Sequence, residues 1–117
     1  MSRDYSLYLN DILESCEKVQ AYIADYDFEK FFVDEKTIDA VVRNLEIIGE
    51  AVKCVPSEML SSQPQIEWKR IRRFRDIIAP YYFKVDLEVV RSITQEDLAK
   101  LSPDISSILA DLEKNKT

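Results

Sequence analysis

A single glycine, Gly49, serves the whole of a 117-residue chain. Glycine supplies the positive-φ positions of tight hairpins and lets backbone approach a bound dinucleotide, so β-sandwiches and Rossmann-type folds use many. A chain almost without glycine has few tight turns, and helices are what remain to build it from. A P-loop is excluded, because it needs a glycine-rich stretch ending in Gly-Lys. Histidine is absent altogether. That excludes a histidine general base, a Ser-His-Asp triad and any zinc site with imidazole ligands. Two cysteines, Cys16 and Cys54, are too few for a disulfide framework or a four-thiolate centre. They read as reduced core residues, with a bridge formed on oxidation as the alternative.

Apolar residues make up 46% of the chain and charged residues 32%, a globular balance over a length that suits one domain, residues 1–117. No apolar run approaches the roughly 18 residues of a membrane span, and the polar N-terminus has no signal-peptide core. The expectation is a cytoplasmic protein without a membrane segment.

Apolar residues recur at helical spacing. Tyr5, Tyr8, Ile12, Cys16, Val19, Ile23 and Tyr26 predict one long helix over residues 4–26. Residues 28–33, with Phe28, Phe31, Phe32 and Val33, predict a short buried turn or half-helix. Asp34 is the expected N-cap of a second long helix reaching about Cys54, with Ile38, Val41, Val42, Leu45, Ile48 and Val52 as its stripe. Gly49 sits inside it, which suits close packing against another helix. Residues 57–62 read as a turn. A third helix should start near Ile66 and carry Trp68, Ile71, Phe74, Ile77 and Ile78, until Pro80 kinks or ends it. Residues 87–93 read as a short helix. Thr94 with Asp97 resembles a capping box, and Ser102-Pro103 an N-cap followed by proline at N1. The last helix would hold Ile105, Ile108, Leu109 and Leu112. The fold class is therefore all-α, an antiparallel bundle of four to five helices. The tyrosines of the first helix suit a dimer seam.

Charge is unevenly spread. The net charge is −6, yet Lys69, Arg70, Arg72, Arg73 and Arg75 fall within seven residues that contain no acid. Such a block in an acidic chain reads as a solvated helix face, a polyanion site or a contact for an acidic partner. Arg75 and Tyr82 lie two helical turns apart, on the same side of an unbroken helix. Metal-free RNA cleavage needs a base, a donor for the leaving oxygen and cations for the phosphate; arginine suits the last role. Each of these residues also has a structural reading. Arg75 could pair with Asp76 or Glu67, Asp76 could be a solvated helix charge, and Tyr82 could be a core aromatic. Trp68, Tyr81 and Phe83 read first as packing groups. Glu46 and Glu50 lie one turn apart, but no third ligand supports a metal there.

The segments Asn44-Leu45-Glu46-Ile47-Ile48-Gly49-Glu50-Ala51, Trp68-Lys69-Arg70-Ile71, Phe74-Arg75-Asp76 and Tyr82-Phe83-Lys84-Val85-Asp86 together resemble the HepT toxins of the HEPN superfamily, over roughly residues 3–114. The resemblance implies a dimerising helical bundle with no cofactor, partnered by MntA, a minimal nucleotidyltransferase antitoxin. It implies metal-independent endoribonuclease activity in active members, whose signature is Arg, four to six residues, His, one residue, Tyr. The antitoxin can add AMP to the signature tyrosine. Arg75 matches the signature Arg and Tyr82 the Tyr, but Pro80 stands at the His position. Proline offers neither a titratable group nor a donor. Two functional readings result: a HepT-like toxin component with weakened or lost cleavage, and a non-catalytic helical subunit that binds and regulates the nucleotidyltransferase. A plain helical module holding an acidic partner is the third.

Overall fold

The computed structural model describes residues 5–24, 26–74 and 87–114. All elements among these residues are helical: α1 (Ser6–Ile23), α2 (Phe28–Phe31), α3 (Glu35–Lys53), α4 (Ser57–Ser61), α5 (Trp68–Arg72), α6 (Leu87–Ser92), a π-helical turn (Ile93–Asp97) and α7 (Leu98–Lys114). The all-α class is as expected, built from three long helical stretches with short helices between the first two and after the second.

The central pair is α1 and α3, which pack against each other more extensively than any other two elements. Leu9, Ile12, Cys16 and Val19 bury the inner face of α1. Val41, Val42, Leu45, Ile48 and Val52 do so for α3. Gly49 is buried too, so a methyl group there would point into the packed interior. The pair is antiparallel, because Tyr8 and Asp11 near the start of α1 share a groove with Glu50, Ala51 and Cys54 at the end of α3. α7 packs on α1, and α5 packs on α3. Buried residues from Leu9 to Ile108 join in one core cluster.

Asp34 caps α3 as expected: its Oδ1 accepts from the Thr37 amide at 3.1 Å. Tyr26 differs from expectation. α1 stops before it, and its hydroxyl donates to Asp34 Oδ2 at 2.5 Å, beside the Thr37 hydroxyl at 2.9 Å. One carboxylate thus ties the corner between α1 and α3. These bonds, the Tyr26 hydroxyl first, hold the Asp34 carboxyl below its ordinary value. A lowered folded value means stability that is present above about pH 4 and lost as pH falls through the folded value. Asp34→Ala should therefore lower the melting temperature at pH 7 and shrink the loss between pH 5 and 2. Melts with the same acid limb as the unaltered chain would contradict this.

Three further expectations are corrected. Val33 is 80% exposed rather than buried, because the chain leaves α2 there with its amide turned back to the Lys30 carbonyl. Residues 57–61 form a helical turn, and α5 begins at Trp68, two residues after Ile66. Most informative is the C-terminal stretch, which runs helical from Leu87 to Lys114 without a break. Thr94 makes no cap; its hydroxyl donates to the Arg91 carbonyl at 3.0 Å. Pro103 lies inside α7 rather than at its start. An interior proline costs about 3 kcal/mol. Burying Leu98, Leu101, Ile105 and Ile108 on one continuous face recovers roughly 1.5–3 kcal/mol each, so the helix runs through.

Cys16 is buried, and burial first, with the Glu17 charge second, pushes its thiol up to about 12. Cys54 is exposed, not a core residue. It lines the same groove as Tyr8, eight residues before Cys16 on α1, which is about 12 Å of helix. Disulfide formation needs α-carbons within about 7 Å. Both thiols are free, Cys16 in the core and Cys54 at the surface. No helix among the described residues is long and apolar enough to cross a membrane.

Candidate nucleic-acid interface

The basic stretch is carried by α5. Trp68, Ile71 and Phe74 anchor it in the core, at 8%, 4% and 0% exposure. That inward set forces Lys69, Arg70, Arg72 and Arg73 outward, and all four are exposed. The indole N–H of Trp68 donates to the Leu60 carbonyl at 3.1 Å. Trp68 is thus a packing anchor that ties α5 to α4, and its face is not open to a base.

A shallow groove of about 690 Å³ runs between α4 and α5, lined by Ser57, Leu60, Ser61, Ile66, Glu67, Trp68 and the basic residues. Its floor is apolar, and its rim carries four cations and the Glu67 carboxylate. Lys69, Arg72 and Arg73 are in no ion pair with another described residue. Three cations without an ion pair among the described residues, within one and a half turns, make a positive edge on a chain of net charge −6. Arg70 differs: its Nε donates to both carboxylate oxygens of Asp97 at 3.0 Å. Sequence reasoning missed that partner. The two residues lie 27 apart, and Asp97 reads locally as a capping residue.

Arg75, expected as the signature arginine, comes directly after Phe74 and lies outside the described residues, as do Asp76, Pro80, Tyr81, Tyr82 and Phe83. Glu50 approaches Lys53 at 3.8 Å. Among the described residues no group of three or more acids or cysteines could hold a metal ion. The arrangement can bind a polyanion through arginine and lysine donors. The chain has no histidine to place there for proton transfer.

Residues 12–108 match the family described as Ribonuclease HepT-like, and the chain belongs to that family. A Methanocaldococcus jannaschii protein named "Gamma-glutamylcyclotransferase and putative RNase" is 40% identical over 99% of this chain. The chain spans 52% of that relative's length. A second protein of the same organism, named "Putative RNase", is 35% identical over 95% of the chain and 92% of its own length. "Probable ribonuclease HepT" of Thermococcus cleftensis is 40% identical over 86% of the chain and 92% of its own length. No solved structure matches the chain.

Proposed function

We propose that the chain is the toxin-type subunit of a HepT–MntA pair, one that binds RNA along α5 but cuts it weakly or not at all. The observation that carries this reading is the row of cations on α5, leading in sequence to Arg75, in a chain without histidine. Arg75 would complete the phosphate clamp with Lys69, Arg72 and Arg73, and Tyr82 would stand at the leaving oxygen. The remaining base is missing at Pro80. The absence of histidine equally favours the second reading, a non-catalytic subunit that regulates the nucleotidyltransferase.

In the pair, a minimal nucleotidyltransferase adds AMP to Tyr82. The added phosphate sets negative charge near Arg75 and competes with RNA for the same donors. Tyr82→Phe should abolish AMP labelling by the partner, and labelling unchanged in that variant would move the acceptor, first to Tyr81. A homodimer accords with α1, where Leu7 and Tyr22 remain 45% and 40% exposed.

The test of the RNA reading is a salt titration with a labelled single-stranded RNA. Each phosphate contact contributes about 0.7 to the slope of log affinity against log salt. Three to five contacts predict a slope of roughly −2 to −3.5. No binding at low salt, or binding without a slope, would return α5 to a solvated face.

A further inference from the structure

The basic stretch is not one uniform set of charges. Lys69, Arg72 and Arg73 are three and four residues apart, so they share one face of α5. Arg70 stands about 100° round from Lys69, on the edge above buried Phe74. On that edge its Nε bonds both oxygens of Asp97. The Asp97 side chain is only 15% exposed, against 49% for Arg70. A carboxylate that covered depends on its cation for the hydrogen bonds that water would otherwise give. Asp97 also closes the π turn, Ile93–Asp97. A π turn holds an extra residue and rotates the helix beyond it, and such turns recur at functional sites. In this chain the turn brings Asp97 to α5. Glu67, Lys100 and Asp104 line the same cleft of about 300 Å³, and the Arg70–Asp97 pair crosses it.

We propose that Arg70 is a positioning residue for RNA and not a phosphate contact. Its bond to Asp97 fixes α5 on the C-terminal helix. Through α5 it sets the cation face of Lys69, Arg72 and Arg73. The proposal rests on the RNA reading of the α4–α5 groove. A cation already satisfied by a covered carboxylate has little left to offer a phosphate, whereas the three on the open face have no ion-pair partner among the described residues.

Two measurements test this, on the full chain. The first is affinity for a fluorescein-labelled single-stranded RNA across a salt series. Arg70→Gln and Asp97→Asn should each weaken binding about three- to tenfold with the slope unchanged. The double variant should be no worse than either single, and the exchanged pair Arg70→Asp with Asp97→Arg should recover most of the affinity. Arg72→Gln with Arg73→Gln should instead lower the slope by about 1.4. If Arg70 were a phosphate contact shielded by Asp97, Asp97→Asn would tighten binding and Arg70→Gln would lower the slope; either result overturns the proposal. The second measurement is hydrogen exchange of the α5 amides without RNA. Exchange should rise about three- to tenfold in both single variants and return in the exchanged pair. Unchanged protection overturns the positioning role whatever RNA does. An unchanged slope in the Arg72/Arg73 variant, with α5 protection behaving as stated, overturns the reading of the groove alone.

Discussion

Pro80→His should raise metal-independent RNA cleavage by about 10²–10⁴-fold over the unaltered chain, the usual contribution of one positioned acid–base group. That range is roughly 3–5 kcal/mol of barrier. No histidine elsewhere in the chain can supply it. Lysine, arginine and tyrosine have ordinary values of about 10 or above, too high for a good base at neutral pH. The cations that remain can hold RNA and stabilise charge in the transition state, so the predicted deficit is in rate and not in binding. The substitution also restores a backbone N–H that proline lacks. Binding unchanged with no gain in rate would show that the missing histidine is not what limits cleavage.

The largest stability effect should come from Phe74. It is fully buried and is the last described residue before Arg75. Its ring, with Trp68 and Ile71, holds a basic helix of five residues that could not persist alone. Phe74→Ala should cost about 3–5 kcal/mol, the loss of a buried ring together with the cavity it leaves. That is a large share of a typical total of about 5–15 kcal/mol. Thermal melts should move down by roughly 10–20 °C. Phe74→Leu keeps most of the volume and should lose far less, about 1 kcal/mol. RNA affinity of the folded alanine variant should fall as well, because the cation face loses its anchor. A shift of only a degree or two would contradict the packing described for α5.

Elements with unambiguous local signals were legible. Periodicity marked α1 and α3, and Asp34 capped where a carboxylate before a helix should. The errors in the C-terminal stretch share one cause. Thr94, Asp97 and Pro103 all carry the local chemistry of a helix start, yet the buried row from Leu98 to Ile108 outweighs it. Tertiary burial set the course of that segment, and local capping signals do not report it. Tyr26 likewise fits the spacing of α1, but its hydroxyl finds Asp34 beyond the helix end. The exposure of Val33 and Cys54 depends on how the chain leaves its helices, which hydrophobicity alone does not indicate. For the candidate site, the cluster of cations Lys69, Arg70, Arg72 and Arg73 was readable in the sequence. The distinct position of Arg70 was not, because its partner lies far along the chain on another helix.

The most direct test incubates the purified, unaltered chain with labelled single-stranded RNA in chelator, then separates the complex and sizes the RNA. The account predicts a salt-sensitive complex holding intact RNA, weakened when Lys69, Arg72 and Arg73 are replaced by glutamine. Robust cleavage by the unaltered chain that is lost on Arg75→Ala would contradict it.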